Sequence, residues 1–515
     1  LEHHQYGVTR TMAETFTTRP AFRTVALSEE ESSYRLRLTL VFHPDLERIG
    51  AHTDLQVWPR DQPLKPLAGT VIGRHTPTLS DARSIDEPHV SRTALRIEQR
   101  YRTADLSSLS LRIEAGPSSD AQIGAAGAAN CLVDSRELKR GVPLRLGHGV
   151  VALLRLVGPI TPVIDVDFAP GLLGASVELA QVRALLASVA NSDLPVLIVG
   201  ESGVGKELAA QALHEGSHRR AKPLVTVNMA AIPEGLAASE LFGAEKGAFT
   251  GATARQGYFR EAHAGSLFLD EIADTPETIQ VQLLRALEQG ELQVVGGKIE
   301  RVDVRLIAAT DGAIDEVSGF RQALLNRVAG FTVAIPPLRH RLEDIGPQAA
   351  QLLSSLATDH PQGQFVACGD DPQVAAHWGR IIFDALLHDW PGNSRELYFA
   401  LRRAALERPR MREQGRPLSG AVLAAATPVD DDSLFAIHKD NDFELMATAA
   451  CLGWSRQKLY RRIHLHPALR LAQDIPNADI RAALAQWDDL ADAARSLYVS
   501  LRALRLRLKQ LPVTD

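Results

Sequence analysis

The residues with the clearest chemical potential lie in a glycine-rich segment that follows an apolar run. The run PVLIV at 195–199 predicts a buried strand, and a helical pattern begins at Lys206. Glycines let such a loop fold so that successive backbone N–H groups surround phosphate oxygens, and the following helix N-terminus adds its positive dipole. A lysine at this position reaches the β and γ phosphates of a nucleotide. The predicted nucleotide-binding residues are Gly200, Glu201, Ser202, Gly203, Val204, Gly205, Lys206 and Glu207.

One position of this loop departs from the general pattern. Glu207 stands where Ser or Thr commonly ligates magnesium. A glycine-rich turn that opens an ordinary helix is the alternative interpretation. The order strand, loop, helix favours a phosphate site.

Two adjacent acids end a second apolar strand, SLFL at 266–269. We expect Asp270 to hold Mg²⁺ and Glu271 to polarise the water that attacks the γ-phosphate. A solvated strand end is the alternative. Because the pair follows the glycine-rich loop by about 65 residues, ATP hydrolysis with Mg²⁺ is the favoured interpretation.

The elements that position these residues belong to several domains, since 515 residues correspond to three or four domains at roughly 150 residues each. The composition, with 45% hydrophobic and 23% charged residues and a mean hydropathy of −0.07, excludes a wholly disordered chain. No apolar run approaches the roughly 18 residues of a membrane helix. The three cysteines lie far apart, which favours neither a disulfide framework nor a CxxC metal site. We therefore expect a cytoplasmic protein with no membrane partner.

The pattern of elements divides the chain into successive regions. Residues 21–160 contain many short strand-like runs, which predict a β-sandwich, and strands then alternate with longer helices in a three-layer α/β domain. Helical patterns follow, then a segment rich in Pro, Gly, Asp and Ala that is typical of a linker. The predicted boundaries are 1–20 for an extension, 21–160 for the sandwich, 168–345 for the α/β domain, 346–408 for a helical lid, 409–437 for the linker and 438–515 for a C-terminal helical region.

The segment between the two phosphate motifs carries a family resemblance. It reads ELFGAEKGAFTGA at 240–252, and the chain here resembles the bacterial enhancer-binding proteins, which are AAA+ ATPases that activate sigma-54 RNA polymerase. The resemblance covers roughly 170–400 and implies a P-loop AAA+ ATPase with an α-helical lid. It also implies that one loop touches sigma-54 and moves with the nucleotide state. The residues of that loop are Gly247, Ala248, Phe249, Thr250, Gly251 and Ala252.

Further residues match the functional positions of this family. Asn228 resembles the switch residue that holds Glu271, and Arg395 resembles the sensor II arginine that faces the nucleotide phosphates. Arg321 and Arg327 match two arginine fingers, which neutralise charge in trans across a ring interface. Asp311 lies at sensor I, where the family usually has Asn. The resemblance thus implies a homo-oligomer, from dimer to hexamer.

The N-terminal sandwich resembles a forkhead-associated (FHA) domain, whose loops bind phosphothreonine. The candidate phosphopeptide residues are Arg74, Ser91, Arg92 and Asn130. The family's His is replaced by Ala94, and its Asn-Gly-Thr by Asn130-Cys131-Leu132. We predict recognition of a phosphothreonine protein, such as a serine/threonine kinase or its substrate. A degenerate module that only docks on protein surfaces is the alternative.

The C-terminal region shows a weak repeat at an offset of 45 residues, and each copy is typical of a helix, a turn and a second helix. It resembles the helix-turn-helix of nucleoid and enhancer-binding proteins. Residues 441–515 contain 11 Lys and Arg against 8 Asp and Glu, a net charge of +3, whereas the whole chain carries −6. Basic surface helices of a small bundle are the alternative, and either copy could supply the recognition helix. The candidate DNA-binding residues are Arg456, Lys458, Arg461 and Arg462 in copy one, and Arg502, Arg505 and Arg507 in copy two.

Together these patterns predict a sigma-54-dependent transcriptional activator that binds enhancer DNA and is regulated through its FHA-like domain. Two other functions stay open at this point. One is an AAA+ ATPase that remodels a different protein, against which the hexapeptide Gly247–Ala252 argues. The other is a non-catalytic scaffold for DNA or phosphoproteins, against which the intact Lys206, Asp270 and Glu271 argue.

Overall fold

The computed structural model describes most of the chain from residue 33 onward. The two compact units of the chain are residues 1–423 and 424–515. The described residues are 33–59, 67, 69–99, 106–117, 119–124, 129–158, 168–169, 171–248, 254–311, 320–359, 372–413, 431–441, 443–445, 448, 459–460, 462–463, 466, 468–487 and 489–508. The predicted extension 1–20 and the strand-like run at 24–27 lie outside them.

The N-terminal region is a β-sandwich of two antiparallel sheets. The first sheet has the order β2-β1-β9-β8-β6 and the second has the order β3-β4-β5-β7. Alternate residues of each strand enter one shared apolar core, as Leu95 and Ile97 do from β4. The elements are β1 Ser33–Phe42, β2 His52–Pro59, β3 Thr70–Ile72, β4 Leu95–Gln99, β5 Ser110–Ala115, β6 Gln122–Ile123, β7 Asn130–Asp134, α1 Ser135–Arg140, β8 Val142–Leu146 and β9 Val150–Val157.

Strand β9 is buried along its whole length. Its residues Ala152 and Leu154 face the sandwich core, whereas Val151 and Leu153 belong to a second apolar cluster that includes the helices of the lid. A strand covered on both faces has a near-continuous apolar sequence, and VVALLRLV has this character. The sandwich and the lid therefore share a core.

The central domain is a five-stranded parallel sheet between two helical layers. The strand order is β11-β12-β15-β10-β16, so β15 lies between the strand of the glycine-rich loop and the strand of the two acids. The carboxyl ends of parallel strands meet at one edge, which is where ligands bind in such sheets. The elements are α2 Val177–Ala190, β10 Val196–Val199, α3 Lys206–Glu215, β11 Leu224–Asn228, α4 Glu234–Phe242, α5 Tyr258–Glu261, β12 Ser266–Asp270, α6 Glu277–Gln289, β13 Glu291–Gln293, β14 Ile299–Arg301, β15 Arg305–Thr310, α7 Gln322–Val328 and β16 Phe331–Ala334.

Three helices form the lid, namely α8 Ile345–Asp359, α9 Pro372–Leu386 and α10 Asn393–Glu413. Their apolar faces enclose Trp378 and Trp390, which are fully buried. The predicted linker 409–437 overlaps the end of α10 and the beginning of the next helix, and its residues 414–430 lie outside the described part.

The C-terminal unit contains the helices α11 Asp431–Asp440, α12 Asn477–Gln486, α13 Leu490–Ser496 and α14 Leu501–Leu508. Helices α13 and α14 are joined by a short turn, and Ser500 Oγ accepts a hydrogen bond from the backbone N–H of Ala503 at 3.3 Å, as an N-cap does. In copy two the structure therefore has two consecutive short helices joined by a capped turn. The segment 451–458 of copy one lies outside the described residues.

Among the helices that the structure describes, none is long and apolar enough to cross a membrane.

Candidate active site

The glycine-rich loop leaves β10 and ends at the first turn of α3, as its sequence predicts. Gly203 and Gly205 have φ angles of +79° and +111°, a region that side chains with a Cβ rarely adopt. A Cβ on Gly203 would also lie 2.4 Å from the backbone oxygen of Gly392 in the lid. Glycine is therefore required at Gly203 both for the turn and for the close approach of the lid.

Lys206 is nearly buried, with 8% of its surface exposed. Its Nζ donates to the backbone oxygen of Gly200 at 2.9 Å and forms an ion pair with Asp311. Glu271 Oε1 lies 3.9 Å from the same nitrogen. The structure thus brings together the lysine, the sensor I position and one of the two acids.

The two acids at the end of β12 differ in backbone conformation. Asp270 ends the strand, whereas Glu271 has φ +53° and ψ +50°, in the left-handed region. The Glu271 N–H donates to Asp270 Oδ1 at 3.1 Å. Burial raises the pKa of both carboxyls, and the nearby charge of Asp311 contributes further to raising that of Glu271, which is about 7.

Polar contacts reach the glycine-rich loop from Arg339, in the segment before the lid, and from Asn393, the first residue of the lid helix α10. Arg339 donates from both Nη atoms to the carboxylate of Glu201, at 2.9 and 2.6 Å. Asn393 Nδ2 donates to Glu201 and to the backbone oxygen of Ser202, each at 3.1 Å. These hydrogen bonds lower the pKa of Glu201, with Arg339 as the main cause. A predicted nucleotide-binding residue therefore also fixes the lid.

A second contact reaches the loop from the buried segment before the lid. Arg341 donates from Nη2 to the backbone oxygen of Val204 at 3.0 Å, and from Nη1 to Asp344 at 3.0 Å. Asp344 in turn accepts the N–H of Ser176, the N-cap of α2, at 2.7 Å. The segment therefore joins the loop, α2 and the lid.

The remaining expected residues of the phosphate site lie close to it. Arg395, on the first turn of α10, has its Nη1 3.5 Å from Ser202 Oγ, so it lies beside the loop, and its sensor II role stays a prediction. Asn228 ends β11 and is the register partner of Asp270. Among the described residues, no hydrogen bond joins Asn228 to Glu271, although the two lie at the same sheet edge.

The two expected arginine fingers lie on α7 and at its start, away from the lysine. Both are exposed. Arg327 donates to the backbone oxygen of Leu287 at 2.8 Å, and the backbone N–H of Arg321 donates to Gln280 at 2.8 Å. Within the described part of the chain, neither has a hydrogen bond or ion pair to Lys206, Asp270 or Glu271. In a single chain they stand on an outer surface.

The sigma-54 loop is only partly described. Gly247 and Ala248 are placed, whereas Phe249, Thr250, Gly251 and Ala252 lie outside the described residues. Its base is defined by backbone pairing of Ala244 with Arg255, at 3.0 and 2.9 Å, and by an ion pair of Arg255 with Glu240. The described residues on either side of the hexapeptide are thus held together by these contacts.

The phosphopeptide candidates lie at one end of the sandwich, with Arg74 and Ser91 in loops and Asn130 at the start of β7. The N–H of Arg74 donates to the oxygen of Ser91 at 3.0 Å, and the N–H of Ala115 donates to that of Ala129, beside Asn130, at 2.6 Å. The side chain of Arg74 donates to the backbone oxygen of Val90 at 3.0 Å and to that of Pro88.

Two of the other candidates also have local partners. Asn130 Nδ2 donates to Glu114 at 3.4 Å, and Ser91 Oγ accepts the N–H of Thr93 at 3.3 Å. Arg92 is exposed. The loops are therefore adjacent, but Arg74 has a structural role that the sequence did not suggest.

The described DNA candidates lie on α14 and near Ile463. Arg502 and Arg505 are exposed, whereas Arg507 is half-buried and donates to Asn477 at 3.0 Å. Arg462 is placed, and Arg456, Lys458 and Arg461 lie outside the described residues. Copy two thus presents two arginines on its surface.

Sequence reasoning missed the network that joins the sandwich to the ATPase. Arg155 of β9 contacts Glu178 at the start of α2 and Glu343 before the lid. A signal was present, because a single arginine in an otherwise apolar strand needs a buried partner. The ion pair of Lys206 with Asp311 was also missed, because an unusual residue at the sensor I position does not indicate which residue it will contact.

The sheet order, the glycine-rich loop after β10, the acids after β12 and the helical lid define an AAA+ P-loop NTPase. The family model for the Sigma-54 interaction domain matches residues 172–334. The chain is 41% identical over 325 residues to the transcriptional regulatory protein ZraR of Klebsiella oxytoca, covering 61% of this chain and 70% of that protein. The chain belongs to the family of sigma-54-dependent transcriptional activators.

Two further similarities cover comparable lengths of the chain. The chain is 36% identical over 350 residues to the Nif-specific regulatory protein of Klebsiella pneumoniae, covering 67% of this chain and 59% of that protein. The crystal structure of NtrX from Brucella abortus in complex with ATP is 29% identical, with a TM-score of 0.42, and the match covers 57% of this chain and 69% of that one. The chain spans 59% to 70% of the length of the two curated relatives.

Proposed function

We propose that the protein hydrolyses ATP as a ring of identical subunits and uses that energy to remodel the closed complex of sigma-54 RNA polymerase. The observation that carries the proposal is the placement of Lys206, Asp270 and Glu271 at one sheet edge, beside a lid that contacts the phosphate loop. The sigma-54 hexapeptide, on a loop with a fixed base, supports the choice of target.

The residues present fit a magnesium nucleotide. The left-handed Gly203 and Gly205 shape the loop that receives the phosphates, and Lys206 and Arg395 supply positive charge beside it. Asp270 would hold Mg²⁺, which when bound neutralises charge on the β and γ phosphates. Glu271 would accept the proton of the attacking water, because its carboxylate lies next to Asp270 at the same edge.

The exposed positions of Arg321 and Arg327 support catalysis across a subunit interface. Each would neutralise charge that develops on the γ-phosphate in the neighbouring subunit. A site completed in trans makes the rate of ATP turnover depend on assembly. The proposal therefore includes an oligomer between a dimer and a hexamer.

Mixing experiments test this arrangement. We expect the specific ATPase activity to rise with protein concentration, and we expect Arg327→Ala and Glu271→Ala subunits, each inactive alone, to regain activity when mixed. Each variant supplies the group that its neighbour lacks. Arg301→Ala is a matched control, because it removes an arginine that is 87% exposed in a different part of the domain. Activity that is flat with concentration in a protein that stays monomeric with nucleotide would refute the ring.

The proposal assigns regulatory roles to the two ends of the chain. The adjacent loops around Arg74, Ser91 and Asn130 support binding of a phosphothreonine protein by the sandwich. The exposed Arg502 and Arg505 on α14, which follows α13 through a capped turn, support enhancer DNA as the ligand of the C-terminal unit. The alternatives are a sandwich that only docks on proteins and a C-terminal unit that binds no DNA.

Two whole-protein alternatives are distinguished by simple measurements. An AAA+ ATPase with another target would hydrolyse ATP but would not bind sigma-54 in any nucleotide state. A non-catalytic scaffold would not hydrolyse ATP at any protein concentration.

A further inference from the structure

Asp311 lies one residue beyond β15, in the middle of the nucleotide edge. Thr310, the last residue of that strand, is the register partner of Val199 and accepts the N–H of Gly200 at 3.2 Å. On its other side β15 pairs with β12, the strand of the two acids. The side chain of Asp311 therefore emerges between the phosphate loop and the catalytic acids.

The lysine of the phosphate loop is already engaged by this carboxylate. Lys206 Nζ has the backbone oxygen of Gly200 at 2.9 Å and the carboxylate of Asp311 as its partners, with Glu271 farther away at 3.9 Å. The lysine side chain is 8% exposed, whereas that of Asp311 is 40% exposed. The carboxylate is thus the member of the pair that can withdraw toward solvent.

We propose that Asp311 competes with nucleotide phosphates for Lys206 and so sets the affinity and the selectivity of the site for ATP. The inference deepens the proposed function and rests on it, because it assumes that the nucleotide binds at the sheet edge where Asp311 lies. Asp311 is a positioning residue in this scheme, because it acts on the nucleotide through the lysine.

The balance of charge explains why the competition matters. Asp270, Glu271 and Asp311 bring three carboxyl groups to the neighbourhood of a single lysine. Phosphate oxygens that approach must replace Asp311 at Lys206 and also meet its repulsion. Asp311 also interacts with the carboxyl of Glu271, the residue that in the proposed function faces the γ-phosphate. The penalty should therefore be larger for ATP than for ADP.

The substitution Asp311→Asn tests this directly, because it keeps the shape and removes the charge. Binding is measured on the full chain by fluorescence anisotropy, with a slowly hydrolysed fluorescent ATP analogue and with fluorescent ADP. We expect the Kd of the ATP analogue to fall by roughly tenfold, the order of one charge-assisted contact discounted for solvent exposure. We expect a smaller fall for ADP, and a larger fall for both nucleotides in EDTA, where no Mg²⁺ screens the phosphates.

Asp303→Asn is the matched control. Asp303 precedes the other end of the same strand and pairs with Arg219 at 2.8 Å, so the same change of charge occurs away from the phosphate loop. Its Kd values should stay at those of the wild type. A general effect of net charge would instead lower the Kd of both variants equally, which would overturn the proposal.

A double-mutant cycle with Lys206→Met distinguishes competition for Lys206 from direct repulsion between Asp311 and the phosphates. If Asp311 acts through Lys206, most of the gain from Asp311→Asn disappears in the Lys206→Met background. A gain of equal size in both backgrounds, or no gain at all, would overturn the inference while leaving the nucleotide site intact. Failure of the wild type and of Asp303→Asn to bind either nucleotide would instead contradict the proposed function.

Discussion

Arg155 of the sandwich donates from Nη1 to both carboxylate oxygens of Glu343, at 3.0 and 2.8 Å, where Glu343 is only 3% exposed. Its Nη2 also donates to Glu178 at 2.5 Å and to the backbone oxygen of His340 at 2.9 Å. One guanidinium thus joins β9, the first turn of α2 and the segment that leads into the lid. The next residue after Glu343 is Asp344, which pairs with the arginine that contacts the phosphate loop.

This relationship predicts a large loss of stability for Arg155→Met. Removing one partner of a buried ion pair leaves an uncompensated carboxyl group, which costs about 3–5 kcal/mol. Combining it with Glu343→Leu should recover much of the loss, because two apolar side chains fill the same space. The measurement is the midpoint of urea unfolding followed by the fluorescence of the tryptophans, two of which are buried in the lid.

Arg140→Met is the matched control for this pair. Arg140 also joins the sandwich to the lid, through Asp389, but the two side chains are 63% and 59% exposed. An exposed pair contributes at most about 1 kcal/mol, so the midpoint should barely move. Equal effects of the two substitutions would mean that burial of the Arg155 network does not determine the stability.

The second prediction is that a substitution in the sigma-54 loop abolishes binding to sigma-54 but leaves ATP hydrolysis intact. Thr250→Ala should leave ATP turnover near that of the wild type, because the base of the loop is held by Ala244 and Arg255. Binding to sigma-54 in the presence of an ADP–metal fluoride should be lost. Thr253→Ala, just beyond the hexapeptide, serves as the control and should keep both activities. Parallel loss of turnover and binding in Thr250→Ala would assign the loop a structural role.

Much of the ATPase could be predicted from its sequence because its signals are local. The glycine-rich loop, the acids after β12 and the position of Arg395 each depend on a short motif next to one element. The shared core of sandwich and lid could not be predicted in the same way. Val151 and Leu153 show that β9 is covered on both faces. The hydrophobic effect is non-directional, so an apolar sequence does not identify the element that covers it.

Contacts between side chains and residues outside their own motif likewise could not be predicted from the sequence. Arg74 donates to the backbone oxygens of Pro88 and Val90, and its motif does not encode these partners. Its role in binding a phosphate stays a prediction. Asp311 could be aligned with sensor I, but its ion pair with Lys206 depends on sheet register, which no single motif encodes.

Phosphothreonine binding by the sandwich is the third prediction, and the structure changes which variants test it. Arg92→Ala and Ser91→Ala leave the contacts of Arg74 in place, so the loop should stay folded. Each charge-assisted hydrogen bond to a phosphate contributes about 1.5–3 kcal/mol, so the Kd of a phosphothreonine peptide should rise by roughly tenfold or more for Arg92→Ala. Calorimetric titration of the full chain provides the measurement.

The controls for this titration are the unphosphorylated peptide and Arg112→Ala, which removes an arginine from β5. Phosphoserine should bind less well than phosphothreonine, because it lacks the methyl group. Equal affinity for phosphorylated and unphosphorylated peptides would favour a module that only docks on protein surfaces.

DNA binding by the C-terminal unit is the fourth prediction. The boundary between the two compact units indicates where to truncate the chain. Ending the chain at residue 423 removes the whole C-terminal unit and leaves every described residue of the ATPase. We expect loss of sequence-specific binding with retained ATP turnover. In the full chain, binding should weaken steeply with salt, because phosphate contacts release counterions. Electrophoretic mobility shifts at several salt concentrations measure this.

Paired variants show which copy of the repeat reads DNA. Arg502→Ala with Arg505→Ala removes two exposed arginines of α14, and Arg456→Ala with Lys458→Ala removes two basic residues of copy one. If copy two enters the groove, only the first pair abolishes specific binding. Specific binding that survives truncation at residue 423 would place the DNA site elsewhere.

The last prediction concerns acid sensitivity of the C-terminal unit, at the buried His438. Its Nδ1 lies 2.7 Å from Thr448 Oγ1, whose hydroxyl donates to the backbone oxygen of Glu444, so Nδ1 carries the hydrogen. Burial, and the electrostatic effect of the nearby His466, lower the pKa of His438 from 6.5 to about 4. Between those two pH values the unfolded chain binds a proton that the folded unit does not. The stability contributed by the neutral imidazole is therefore present above about pH 6.5 and is lost as the pH falls toward 4.

Hydrogen exchange of peptides that cover α11 measures this loss in the full chain, after correction for the intrinsic effect of pH on exchange. Protection should decrease on acidification in the wild type and should decrease less in His438→Asn, whose amide can replace Nδ1–H as a donor to Thr448 but does not titrate. His75→Asn, a change in a loop of the sandwich, should behave like the wild type. The same decrease in His438→Asn as in the wild type would show that another group governs the acid response, because the only change between them is the titrating imidazole.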